Sequence, residues 1–248
     1  MKFSTIIIYD FIRDRFWRIL WFFRGFNDQI VFSGGRSVRG VNELIINEVI
    51  NNCITKLEIT PQDILLDIGV SLAFSKSMVN LVRCYRGIDW SRSTVKKINS
   101  NLSNFSNMIV VCGEAEAIPF SDNLFSKVVC NSIFMYIFGK GKIKKVLKEI
   151  HRVSQNGALV LIGDLDFKDK KALFLSPFHY YCKKNIFFPI KVFKIIKEVL
   201  GEVFSLRNKL FQKELISLVS EVGKDISVFQ NNLDPPEEKY DIVFKVVK

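Results

Sequence analysis

From Thr60 onward the chain alternates short apolar runs with amphipathic stretches, the pattern of a parallel sheet whose strands are joined by helices. Runs at 64–67, 84–88, 108–112, 127–130 and 158–162 read as strands; 74–82, 91–102 and 142–153 read as helices. The last of these is the clearest, with Ile143, Val146, Leu147, Ile150 and Val153 on one face and lysines on the other. Asn156-Gly157 reads as its stop and the turn into the next strand. A helix at 212–222, a strand at 226–229, a turn at 231–236 and a strand at 240–247 close the chain, the last two strands as an antiparallel pair. A doubly covered sheet needs a large core, and 248 residues that are 48% hydrophobic supply one.

Composition excludes several classes. Cys53, Cys84, Cys112, Cys130 and Cys182 are odd in number and scattered, with no C-x-x-C pair and two histidines in all, which argues against a disulfide scaffold or a zinc site. No apolar run approaches the ~18–20 residues of a membrane span. Asp10 interrupts the N-terminal apolar stretch before it reaches signal-peptide length. The expected location is cytoplasmic.

The net charge of +11 is unevenly placed: +4 over residues 1–40, +9 over 138–200, and −1 over each of 41–137 and 201–248. Two basic blocks around a neutral middle suggest a neutral catalytic or binding core with basic accessories, although solvated faces would look the same. Residues 10–26 read as an aromatic helix with Arg13, Arg15, Arg18 and Arg24 between its apolar positions. Such a helix could pack on the domain, cover a hydrophobic substrate, or lie peripherally on the inner face of an anionic membrane. Gly34-Gly35 breaks the chain after it, and residues 43–57 form the next helical pattern. Residues 1–40 therefore read as an N-terminal cap and 41–248 as the main domain. Residues 165–200, basic and dense in Phe and Tyr, read as a lid inserted over the sheet's edge, its final helix begun by Pro189.

In open parallel sheets ligands bind beyond the carboxyl ends of the strands. The first strand ends in Asp67-Ile68-Gly69-Val70-Ser71, where small residues let backbone amides approach a polar ligand. The second ends in Gly87-Ile88-Asp89-Trp90-Ser91; a carboxylate at that place can accept from both hydroxyls of a ribose, or serve as an acid at the next helix's N-terminus. The most specific string follows the third strand, Gly113-Glu114-Ala115-Glu116-Ala117-Ile118-Pro119-Phe120-Ser121-Asp122-Asn123-Leu124-Phe125.

This string resembles the "GDAExLPFxDxxFD" of the class I S-adenosylmethionine-dependent methyltransferases, in the branch that includes quinone, sterol and other small-molecule enzymes. Leu65–Gly69, Gly87–Ser91 and Leu147–Asp164 are similar to further motifs of that family, in the same order. The resemblance implies an α/β, Rossmann-like, seven-stranded, mostly parallel sheet with helices on both faces and an antiparallel last strand. It implies S-adenosylmethionine across the carboxyl ends. Asp67, Gly69 and Ser71 would line its methionine end, Asp89 would hold the ribose, and Glu114 and Ala115 would flank the adenine, with Trp90 and Ile118 as its sandwich. Asn131 and Ser132 would lie near the sulfonium and the acceptor. Where the acceptor must lose a proton, His179, Tyr180 and Tyr181 in the lid and Asp164 or Asp166 after the fifth strand are the candidate bases.

One departure matters. The family's D-x-G-x-G-x-G loop here has Ser71 and Ala73 in the second and third glycine places. If Ser71 must take positive φ, the cost is on the order of 1 kcal/mol, predicting weakened or lost cofactor binding. Three readings follow: methyl transfer to a small-molecule, lipid or glycan-precursor acceptor with an apolar body and an anionic end; an inactive methyltransferase-like scaffold; or, least supported, an RNA methyltransferase. The sequence after the fourth strand, Cys130-Asn131-Ser132-Ile133, lacks N/D-P-P-Y/F, and the chain lacks Pro-Cys. Both absences argue against the amino-group and covalent-cysteine routes used on bases, leaving nucleic acid only the basic segments.

Overall fold

The structure is a computed structural model, and it describes residues 43–137, 139–166, 208–231 and 239–248. The elements run α1 (Glu43–Leu57), β1 (Ile64–Ile68), α2 (Leu72–Met78), β2 (Cys84–Asp89), α3 (Arg92–Asn101), β3 (Met108–Cys112), β4 (Phe125–Asn131), a 3-10 turn (Phe134–Tyr136), α4 (Lys140–Val153), β5 (Ser154–Asp166), α5 (Asn208–Val219), β6 (Gly223–Asn231) and β7 (Lys239–Val246). The seven strands form one sheet in the order β3-β2-β1-β4-β5-β7-β6. β1 to β5 pair in parallel, and β7 runs antiparallel to both of its neighbours. The chain reverses sheet direction between β3 and β4, so the carboxyl ends of β1 and β4 open the crevice where such sheets bind ligands.

Strand periodicity divides the core. In β1, Leu65 belongs to the layer under α1, α2 and α3, while Leu66 and Ile68 belong to the layer under α4 and α5. The same alternation separates Val129 from Val128 and Cys130, and Leu161 from Val160 and Ile162. Both faces are thus buried, which is why the strands read as continuous apolar runs. The five apolar positions singled out in α4 are all buried.

Several boundaries differ from expectation. α2 is short: Ser71 caps it, its hydroxyl accepting from Phe74 N–H, and it ends at Met78 rather than 82. β5 begins at Ser154, directly after α4, where Ser154 pairs with Phe125 before the register shifts. Asn156-Gly157 is therefore a kink inside the strand, with Gly157 at φ +81°, and not a turn ahead of it. β6 extends from Gly223 to Asn231. Leu165 and Asp166 belong to β5, so any lid begins after them. The N-terminal helix of 10–26, the lid with its Pro189 helix, and most of the 231–236 turn lie outside the described residues. Among the described residues, no helix is long and apolar enough to cross a membrane.

Candidate active site

One cavity opens at the carboxyl ends of β1 to β4. Asp67, Gly69, Ser71, Asp89, Trp90, Glu114, Ala115, Asn131 and Ser132 all line it. The elements explain the convergence: β1, β2 and β4 deliver Asp67, Asp89 and Asn131 at or next to their last residues, and parallel pairing brings those ends together.

Gly69 turns the chain out of β1 at φ +83°, where a side chain would be strained and its Cβ would displace the end of Ile133. Ser71 is different. Its φ of −130° and ψ of 149° are extended backbone, open to any residue, so the expected strain at this position does not exist. Ala73 is a buried residue within α2, where a methyl group packs normally. The altered loop thus gives no backbone reason for lost cofactor binding.

Asp67 is 3% exposed, and Tyr85 Oη hydrogen-bonds its Oδ2 at 2.6 Å. Burial pushes the Asp67 carboxyl up to about 7, with the tyrosine hydroxyl pulling partly back. The same burial, aided by the Asp67 charge, moves the Tyr85 hydroxyl well above its ordinary range. Tyr85 Oη also meets Ser75 Oγ at 2.8 Å, and Ser75 Oγ donates to Ser71 O at 2.8 Å.

Asp89 is half-buried, and its Oδ1 accepts from Ser91 N–H at 2.8 Å. Desolvation by the surrounding protein raises it to about 7; the Ser91 bond opposes this and the Asp67 charge adds to it. Ser91 itself caps α3. The two readings of Asp89 are therefore compatible, since one oxygen is oriented by the turn while the residue borders the cavity.

Ile118 does not border the cavity; it is 3% exposed within the core under α4. Trp90 lines the cavity without it. The string from Gly113 to Phe125 proves to be held by α4. Ile118 N–H donates to Glu149 Oε2 at 2.8 Å, while Arg152 donates to Ile118 O at 2.8 Å, Phe120 O at 3.0 Å and Asp122 Oδ1 at 2.5 Å. Arg152 is fixed in turn by both oxygens of Glu149. This pins the connection that carries Glu114 and Ala115 to the cavity.

Among the candidate bases, His179, Tyr180 and Tyr181 lie outside the described residues. Asp164 is not part of the cavity lining. It is 6% exposed and ion-paired with Lys239 at 2.6 Å, one layer behind Ser132, whose hydroxyl donates to it. The structure thus places Asp164 in contact with a lining residue. Asp166 ends β5, paired with Lys239 of β7.

Sequence reasoning missed two groups. Ile46, Val49 and Ile50 of α1 line the cavity, joined by Ile133, Tyr136 and Ile137 beyond β4. Lys142, half-buried in the first turn of α4, lines the same side. A signal existed for the lysine: cations oppose the helix dipole at an N-terminus, and the first turn of α4 holds no acid.

Residues 66–162 match the model of a family described as methyltransferase domain. A search of curated proteins finds no match. Among solved structures, the fold is similar to the N-methyltransferase NodS from Bradyrhizobium japonicum WM9, at 10% identity and a TM-score of 0.58, over 84% of this chain and 99% of that one. NodS in complex with S-adenosyl-l-homocysteine aligns at 10% identity and 0.56, over 82% and 88%. The PH0226 protein from Pyrococcus horikoshii OT3 aligns at 14% identity and 0.59, over 87% and 93%. At such identities the likeness is one of fold, and it is the fold that the sequence motifs implied.

Proposed function

We propose that this chain is a class I methyltransferase that binds S-adenosylmethionine and methylates an acceptor with an apolar body and an anionic group, a reading supported by its fold and by the family match over residues 66–162. One observation carries the reading: Asp67, Gly69, Asp89, Glu114 and Asn131, from four strand ends or the turns after them, border a single cavity. The residues fit the cofactor. The Gly69 turn takes the positive φ that favours glycine, Asp89 offers a carboxylate for the ribose hydroxyls, and Trp90 and Ala115 offer apolar surface for the base.

The cofactor when bound supplies a methyl group already activated on a sulfonium, so the protein's task is alignment and exclusion of water. Topology divides the cavity for that task. The ends of β1, β2 and β3 form the cofactor side, and the residues after β4, with α1, form the acceptor side. That second side is apolar apart from Asn131, Ser132, the Tyr136 hydroxyl and Lys142. Burial on Ile46, Val49, Ile50, Ile133 and Ile137 favours an apolar body at ~25 cal/mol per Å². Lys142 would draw an anionic group to the rim. Small-molecule, lipid and glycan-precursor acceptors share this chemistry. The test is calorimetric titration with S-adenosylhomocysteine: the chain should bind it, and Asp89→Ala should weaken binding by about 1.5–3 kcal/mol through loss of charged hydrogen bonds. Undiminished affinity in the variant removes Asp89 from the site, and no binding by the wild type removes the proposal.

A further inference from the structure

Tyr85 of β2 is fully buried and does not line the cavity, yet its hydroxyl reaches the cavity wall from behind. Its Oη donates to Asp67 Oδ2 at 2.6 Å and lies 2.8 Å from Ser75 Oγ, and Ser75 Oγ donates to Ser71 O at 2.8 Å. Asp67 and Ser71 line the cavity; Ser75, like Tyr85, is buried behind them. One phenol thus ties the end of β1 to the first turn of α2, across the loop that Gly69 opens.

The strand pairing explains how the ring arrives there. Tyr85 faces Leu65 across β1 and β2, and Gly87, two residues on, faces Asp67. Residues two apart share a face of the sheet, so the Tyr85 side chain runs beside Gly87, where a Cβ would lie 3.4 Å from Tyr85 Cε1. The hydroxyl then meets the neighbour of Gly87 on the next strand. A phenylalanine would fill the same space with no polar group to desolvate, so what the hydroxyl adds lies in the groups it holds.

The sheet order says which part of a ligand those groups face. The proposed function places the base on Trp90 and Ala115, after β2 and β3, and the ribose on Asp89 of β2. In the order β3-β2-β1 the next strand is β1, so the amino-acid end of an S-adenosyl ligand comes to Asp67, Gly69 and Ser71. That end carries an ammonium. Burial pushes the Asp67 carboxyl up, and the Tyr85 hydroxyl pulls it back toward the ionised form that pairs with a cation. With Oδ2 held by Tyr85, Oδ1 is the oxygen left for the ligand. We infer that Tyr85 is a positioning residue for the amino-acid end of the cofactor, its hydroxyl fixing Asp67 and the start of α2 relative to each other; the inference rests on the methyltransferase reading and deepens it.

The experiment is calorimetry on the full chain with two probes, S-adenosylhomocysteine and methylthioadenosine, which keeps the base, ribose and thioether and lacks the amino acid. Tyr85→Phe removes the hydroxyl and keeps the ring. The ratio of S-adenosylhomocysteine to methylthioadenosine affinity should fall about threefold to tenfold, the worth of one hydrogen bond, with methylthioadenosine affinity held within about twofold. A merely structural hydroxyl would lower both affinities together. Should Tyr85→Phe fail to fold, Ser75→Ala breaks the tie at its other end and has to show a fall in the same ratio. A ratio unchanged in the variant that folds overturns the inference, whether or not both affinities drop. A wild type that binds methylthioadenosine as tightly as S-adenosylhomocysteine overturns it too, while leaving the base and ribose assignments standing. Failure of the wild type to bind either probe overturns the methyltransferase reading and this inference with it.

Discussion

At the scale of single residues, the first loop shows how two positions in one motif differ physically. Gly69 combines φ +83° with a Cβ position that meets the end of Ile133, so Gly69→Ala has to shift Ile133 and pay the left-handed penalty as well. Ser71 has extended dihedrals and a hydroxyl that caps α2. Ser71→Gly should therefore change stability by only a few tenths of a kcal/mol, whereas Ser71→Ala should cost about 1 kcal/mol through loss of the cap. Gly69→Ala should cost more than either. Urea denaturation of the three variants checks the order, and a Ser71→Gly variant stabilised by more than about 1 kcal/mol would restore the idea that the serine strains the loop. The sequence shows which glycines are absent; it does not show that only the first sits where φ is positive.

Between elements, the connection from β3 to β4 owes its shape to α4. Glu149 and Arg152 together make four contacts to the backbone and to Asp122 of that connection, and Arg152 forks onto both Glu149 oxygens. The pair holds Glu149 below its ordinary carboxylate range, chiefly through the hydrogen bond from Arg152. Arg152→Ala should lower stability by about 1.5–3 kcal/mol and loosen Glu114 and Ala115 at the cavity, which amide hydrogen exchange over 113–124 would register as faster exchange. Exchange unchanged there means the clamp is decorative. The two strings that made the family resemblance visible, 113–125 and 147–164, are thus largely two halves of one scaffold contact. That is why they were legible: a guanidinium fork onto backbone carbonyls demands fixed residue types at fixed spacing. Strand and helix periods were equally legible, because burial on one face repeats along each element. The contribution of α1 to the cavity was not, since an apolar helix face looks alike whether it covers core or substrate. Neither was the Ser132–Asp164 pair, whose partners lie 32 residues apart in sequence and whose φ values leave no trace in composition.

For the molecule as a whole, the cavity sets how stability varies with pH. Asp67 and Asp89 are both raised, from 3.8 to about 7, mainly by desolvation. Between pH 4 and 7 the folded chain then binds more protons than the unfolded one, so the slope of stability against pH is negative. Glu149 acts the other way: lowered from 4.5, it contributes stability above that pH and loses it as the pH falls through its folded value. Melting temperature should therefore rise as the pH falls from 7 toward 5, then decline below about 4.5, and Asp67→Asn should flatten the upper limb. Cofactor binding should run against this trend. Only the ionised Asp89 can accept from both ribose hydroxyls, so S-adenosylhomocysteine draws off its proton, and affinity should rise several-fold between pH 6 and 8. Linkage makes the two measurements one: the melting-temperature increase produced by saturating S-adenosylhomocysteine should be larger at pH 8 than at pH 6, and Asp89→Asn should make it equal. Equal increases in the wild type would mean that Asp89 gives up no proton on binding, and the carboxylate would have to be removed from the ribose.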